Sequence, residues 1–387
     1  MTRLERLRYM AYLNWCGRGR PAYDDWTDWF HAERIILSYS HTDLTLASGA
    51  PPVAAGNPMG YMGDVPRVVY GSENSHIHEI AINPQSRTWG HLDLTAATGA
   101  PGSDGYPMGY MGDVPRVVYG SWDSHIHEIA INPQSGTWRH FDLTAATGAP
   151  GHYGSPMGYM GQVPRTVFWG IDNHIHEIIH KIATNRQSET WDHFDLTAAT
   201  GAPGNFGYYP MGYMGEVPRV VYGSQDAHIH EIAINPQSGT WRHFDLTAAT
   251  GAPLANSNPD PMGYIGEVPR VVYRGQDAHI HEIAINPQSG TWRHFDLMAA
   301  TGAPVTLGRP MGYMGDVPRV VYRGQDAHIH EIAINPQSGT WRHFDLTAAT
   351  GAPLADSDPM GYIGEIPRVV YRGQDAHIHE IAINGAF

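Results

Sequence analysis

The sequence is poor in cysteine, in lysine, in net positive charge and in long apolar runs. One cysteine, Cys16, stands among 387 residues, so the chain forms no disulfide within itself and depends on packing. Lysine occurs once, at Lys181, and the other basic side chains are arginine. Aspartate and glutamate number 38 against 24 lysines and arginines, a net charge of −14 with histidine neutral. No basic cluster offsets that balance, which excludes a phosphate-binding surface for nucleic acid. No stretch of about 18 apolar residues is present, so membrane insertion is not expected. The calcium-loop pattern D-x-D-x-D-G is missing too. "MTRLERLRYMAYLNWCGRGR" scatters charges where a secretory signal would have an apolar stretch. A cytoplasmic location is the default expectation, with leaderless release to the cell surface or exterior as the alternative.

What is abundant is glycine (44), proline (29) and a 42% apolar share, enough for a core built of short strands and tight turns. The stretch HIHEI occurs seven times, starting at His76, His125, His174, His228, His279, His328 and His377. The intervals are 49, 49, 54, 51, 49 and 49 residues. Each unit carries four strand-like runs, in the sixth "GYMG", "PRVVY", "HIHEIAIN" and "TWRHFDLT", separated by Val-Pro, "RGQDA", "NPQSG" and a Gly/Pro/Ala segment. Four strands at this period predict an all-β chain, a seven-bladed β-propeller with four-stranded blades. The last unit stops after HIHEI, while an orphan "SYSHTDLTLASGAP" (38–51) precedes the first. The N-terminal strand should therefore close the last blade and hide its free edge.

Two domains are expected: an N-terminal helical segment, 1–36, and a propeller, 37–387. Within 1–36, Leu4, Leu7, Met10, Ala11 and Trp15 fall at helical spacing, as do Trp26, Trp29, Phe30 and Ile35 or Ile36. This segment resembles a small helical domain of unknown function at the start of some bacterial proteins. A cap on the ring and an assembly contact are both open to it.

In every unit an arginine precedes a glutamate by 12 residues: Arg67 and Glu79, Arg116 and Glu128, Arg165 and Glu177, Arg219 and Glu231, Arg270 and Glu282, Arg319 and Glu331, Arg368 and Glu380. Centring the hairpin on Glu73 puts Arg67 opposite Glu79, Val69 opposite Ile77 and Tyr70 opposite His76. Parity then places Arg67, Val69, Ile77 and Glu79 on one face, with His76, His78 and Ile80 on the other. The pair reads either as an ion pair bracing the blade or as a polar clamp gripping vicinal hydroxyls. A sugar also offers an apolar face, and each unit offers aromatics to meet it: the tyrosine of "PMGYMG" and the tryptophans Trp89, Trp138, Trp191, Trp241, Trp292 and Trp341. Tyr39 stands in place of the tryptophan in the closing strand, so the site it serves should differ. Any one of these rings is equally a core residue.

The run "PRVVYRGQDAHIHEIAINPQSGTW" resembles the blade motif of the fungal and bacterial fucose-specific lectins, over about 350 residues as a pattern. The resemblance implies sugar sites between adjacent blades, with the seven Arg–Glu pairs touching hydroxyls. It implies Trp89, Trp138, Trp191, Trp241, Trp292 and Trp341 as stacking residues, with Tyr39 in the closing strand. The chain differs in having seven units where the fungal form has six, in His78 where the family often has arginine, and in "DLTAATGAP". The expected function is a multivalent lectin that binds monosaccharide ends of glycoconjugates, of fucose or mannose type, without chemistry and without a cofactor. A protein-interaction scaffold and a propeller glycosidase using Glu79-type and Asp93-type acids are the alternatives. Near-identical copies suit independent binding sites that gain from multivalency better than they suit one tuned active site. The paired histidines His76 and His78, with His91 beyond, have metal-ligand spacing but read better as an interior polar set.

Overall fold

The computed structural model describes residues 37–54, 56–182, 189–205, 209–256, 260–315, 317–335, 338–363 and 366–385. The expected helical segment 1–36 lies outside the described residues. Among them no helix is long and apolar enough to cross a membrane.

The chain forms seven four-stranded antiparallel sheets arranged as the blades of a propeller. The first strand, β1 (Leu37–Asp43), is followed by a one-turn helix, α1 (Leu44–Ser48). Blade one is β2 (Met59–Met62), β3 (Pro66–Gly71), β4 (Ile77–Ile82) and β5 (Trp89–Asp93), followed by α2 (Leu94–Thr98). Five more units repeat this plan. The seventh supplies Met360–Ile363, Pro367–Arg372 and Ile378–Gly385, and β1 completes its sheet. β1 runs antiparallel to the last strand from Leu37 opposite Gly385 to Asp43 opposite His379, which is the expected closure.

The middle strands read as apolar runs because blades pack on both of their faces. Val68, Val69, Tyr70, Ile77 and Ile80 have no exposed surface. Each core lies between two blades: Tyr61, Val69 and Ile77 of blade one pack against Val117, Tyr119 and Ile129 of blade two. Nearest the axis the joint is tighter. A β-carbon on Gly109 would lie 2.2 Å from the Tyr61 ring, and one on Gly60 would lie 2.1 Å from the Tyr362 ring. Tyrosine on glycine repeats around the whole circle, so the "GY" of each strand is one socket and one plug.

The β3–β4 hairpin corrects the expected register. Arg67 lies opposite Ala81, Val69 opposite Glu79 and Tyr70 opposite His78, a slip of two residues. β3 continues through Gly71, the Ser72 amide bonds the His76 carbonyl, and Ser75 turns in the left-handed region at φ 64°. The loop is thus three residues centred on Asn74. A slip of two preserves the parity of the faces, so Arg67, Val69, Ile77 and Glu79 do share one face.

The end of the fourth strand is also corrected. "TWRHFDLT" was expected to be extended throughout, but the strand ends at the aspartate. Asp93 Oδ1 accepts from the Ala96 amide at 2.8 Å, capping α2, and Gly99 (φ 65°) closes it with a bond to the Thr95 carbonyl. The Asp-x-x-x-x-x-Gly spacing within "DLTAATG" carried that signal.

Candidate functional site

The paired arginine and glutamate meet in all seven blades, with N–O distances of 2.5–3.0 Å. They sit one step apart along the ladder, so the guanidinium reaches sideways to the carboxylate and does not face it across the hairpin. A third member, undetected in the sequence, completes the set. The tyrosine of the innermost strand donates its hydroxyl to the same carboxylate, at 2.6 Å for Tyr264 and Glu282. Tyr61, Tyr110, Tyr159, Tyr213, Tyr313 and Tyr362 do the same for their glutamates. These rings fill the inter-blade joint, so the tyrosine offered as a stacking candidate is core. Its signal was the glycine before it, which leaves room for the ring of the preceding blade.

The glutamates are closed in, with side chains 5% exposed or less, whereas the arginines keep up to 18% of theirs in solvent. Burial raises the Glu282 carboxyl above its ordinary value, against the pull of Arg270 and the Tyr264 hydroxyl. Burial opposes the Arg270 charge, but Glu282 and the Tyr264 hydroxyl together more than offset this, and its pKa is raised. Burial and the adjacent Glu282 hold the Tyr264 hydroxyl protonated, well above its ordinary range. The tyrosine and glutamate thus form a rigid seat, and the arginine is the member that reaches solvent. In blades one and two it also meets an exposed aspartate, Asp64 at 3.1 Å and Asp113 at 3.3 Å.

The tryptophans are half-buried, and each packs on the face of the preceding blade. Trp138 lies against the core holding Tyr61 and Val69, Trp191 against Tyr110, Trp241 against Tyr159, Trp292 against Tyr213, Trp341 against Tyr264 and Trp89 against Tyr362. Tyr39 takes this place against Tyr313. Each arginine–glutamate pair is therefore matched with an aromatic from the next blade. Between blades four and five this produces an open cleft of about 820 Å³, lined by Arg219, Glu231, Arg242, Phe244, Glu267 and Trp292. The cleft holds two guanidinium groups, carboxylate acceptors and an indole, which is chemistry suited to a polyhydroxylated ring with one apolar face.

The histidines lie on the other face, in a closed polar network. His125 Nδ1 bonds Asp142 Oδ2 at 2.8 Å, while Asp142 Oδ1 caps the next helix. His127 Nε2 donates to the Asp123 carboxylate, so its Nδ1 accepts from His140 Nε2–H at 2.9 Å. In blade one Ser72 Oγ replaces that carboxylate, and Tyr70 stacks on His78 at 5.4 Å. Burial is the main cause that lowers the His78 pKa to about 4. Asp123, His125, His127 and Asp142 each bring one ligand atom within 4.8 Å of the others, a spacing that could hold a metal ion. In the structure the same atoms satisfy one another.

No family model matches the chain, and no curated protein does. Among solved structures it is similar to SapL1 lectin in complex with alpha methyl fucoside, at TM-score 0.49 and 16% identity over 79% of this chain and 98% of that one. It is also similar to AofleA from Arthrobotrys oligospora, at 0.49 and 13% over 72% and 86%. A third is the fucose-specific lectin from Aleuria aurantia, at 0.48 and 12% over 80% and 95%.

Proposed function

We propose that the chain is a multivalent lectin that binds sugar ends in the clefts between blades and performs no chemistry on them. The observation that carries this reading is the cleft lined both by Arg219, seated by Glu231 and Tyr213, and by Trp292 of the next blade. The arginine donates to vicinal hydroxyls, and the indole packs on the apolar face of the ring. The glutamate acts chiefly by holding the arginine. The same pairing gives Arg67 with Trp138, Arg116 with Trp191, Arg165 with Trp241, Arg270 with Trp341 and Arg368 with Trp89. Arg319 is paired with Tyr39, and its site is the weakest because a phenol covers less of a sugar face than an indole.

Fucose is the sugar implied by the sequence resemblance, and a mannose-type end is its competitor. A glycan array decides between them and should show a narrow set of monosaccharide ends. Titration calorimetry with the methyl glycoside should give a stoichiometry well above one, unchanged by a chelator. Arg219→Ala should lower that stoichiometry by one site. A stoichiometry of one, or an array without signal, would overturn the proposal. Release of a chromophore from an aryl glycoside would move the chain to the glycosidase class.

A further inference from the structure

The ring is not symmetric on the face opposite these clefts, where connectors and β3–β4 hairpins meet. At the position of Gly71 in the second strand of the blade, blades five to seven carry Arg274, Arg323 and Arg372, which fill the space beside the neighbouring connector. Arg274 Nη1 bonds the Leu307 carbonyl at 2.9 Å, and Arg372 Nη1 bonds Asp356 at 2.9 Å. In blade three the position is Trp169, packed at a tilt of 52° on Tyr153 with ring centroids 4.9 Å apart. In blade two it is Gly120, and the His152 ring occupies the gap. In blades four and one it is Gly223 and Gly71, and a β-carbon on Gly71 would meet nothing closer than 3.8 Å. The vacated space is a chamber of about 380 Å³.

The chamber collects residues that the other blades lack. Trp122 occupies a hairpin position where blades four to seven have glutamine, and 75% of it is exposed. Tyr106 and Tyr209 come from two different connectors, and Glu73 and Asp104 supply carboxylates. Neither arginine nor lysine lines the chamber among the described residues. The Arg309 guanidinium lies 5.1 Å from the Tyr209 centroid and occupies that ring, so Trp122 and Tyr106, 75% and 37% exposed, are the rings open to a guest. His152 Nε2 stands 3.9 Å from Asp104.

We propose that this chamber is a second binding site, for an organic ammonium ion. Trp122 and Tyr106 offer the rings and Glu73 and Asp104 the compensating charge, a combination that favours a cation over a neutral or anionic guest. The site is separate from the inter-blade clefts, so it stands or falls independently of the lectin reading.

The test is a titration of the full chain with tetramethylammonium, read on the indole N–H resonance of Trp122, which is assigned by its loss in Trp122→Gln. A saturable shift is expected, unaffected by saturating methyl fucoside, with tert-butanol, a neutral probe of like size, at least tenfold weaker. Gly71→Arg, which installs the residue of blades five to seven, should weaken binding at least tenfold while leaving glycan binding intact. Both substitutions use residues that other blades of this chain carry at the same position. A linear, non-saturating shift, equal affinity for tert-butanol, or unchanged affinity in Gly71→Arg would each overturn the proposal.

Discussion

Glu282→Gln tests whether the buried carboxylate is the seat of its arginine. Glu282 is 1% exposed, accepts from Tyr264 at 2.6 Å and lies 2.9 Å from Arg270 Nη1. At an effective dielectric of about 20 the pair attracts by roughly 6 kcal/mol, most of it offset by desolvation. Neutralising one partner leaves the other buried and unmatched, which costs about 3 kcal/mol. The lower end of the usual range applies because the Arg270 side chain keeps 17% exposure and glutamine still accepts from Tyr264. A cooperative unit of this size has an unfolding entropy of roughly 0.7 kcal/mol per kelvin, so Tm should fall by about 4 °C. Arg270→Met should cost a similar amount and remove one sugar site from the calorimetric stoichiometry. The double variant Arg270→Met/Glu282→Gln removes both charges and should cost about 3 kcal/mol, not about 6. Urea denaturation of the four proteins closes the cycle. Additive losses, or a Glu282→Gln protein as stable as the parent, would refute the buried-seat reasoning.

Acid should destabilise the fold before carboxylates in general protonate. His78 titrates at about 4 in the folded protein and near 6.5 when unfolded. Burial likewise lowers His140, His193, His243, His294 and His343. Between about pH 6.5 and 4 the unfolded chain takes up protons that the native chain refuses, so stability falls as pH falls. Thermal melts at pH 7.5, 6 and 5 should show a descending Tm, and a flat or rising series would contradict the histidine geometry. Arg87 adopts φ 55° at the turn position where Gly136, Gly239, Gly290 and Gly339 sit at 68–70°. Arg87→Gly should therefore stabilise blade one by about 0.5–1 kcal/mol, measured as a urea midpoint, and a loss would refute the strain argument. Gly263→Ala places a β-carbon 2.3 Å from the Tyr213 ring and should cost about 3 kcal/mol or more. A neutral result would mean that the axial joint is looser than the structure has it.

The number of blades, the strand plan and the closing strand were legible because each rests on a period and on matching ends, which survive small local errors. The paired arginine and glutamate were legible as neighbours for a similar reason: their common face depends on parity, and the two-residue slip caused by Ser75 leaves parity intact. The slip itself was hidden because serine and alanine do not advertise a left-handed turn as glycine does. The role of the tyrosines was hidden for a different reason. Their partner is a glycine about 50 residues away, and strand propensity says nothing about which side chain the next blade inserts. The cleft needed two blades at once, and a reading along one unit could supply only half of it.

The closing strand has a mechanical consequence. Leu37 and Gly385 pair directly, at one end of a ladder that runs to Asp43 and His379. Force applied at these two residues meets one rung at a time and does not load all rungs together. The ring should peel open from this seam at low tension, whereas the sheets within it, where both edges belong to uninterrupted chain, would hold until the seam has gone. Optical-trap extension from these two positions should show a small first rupture, about the length of β1, ahead of the release of whole blades.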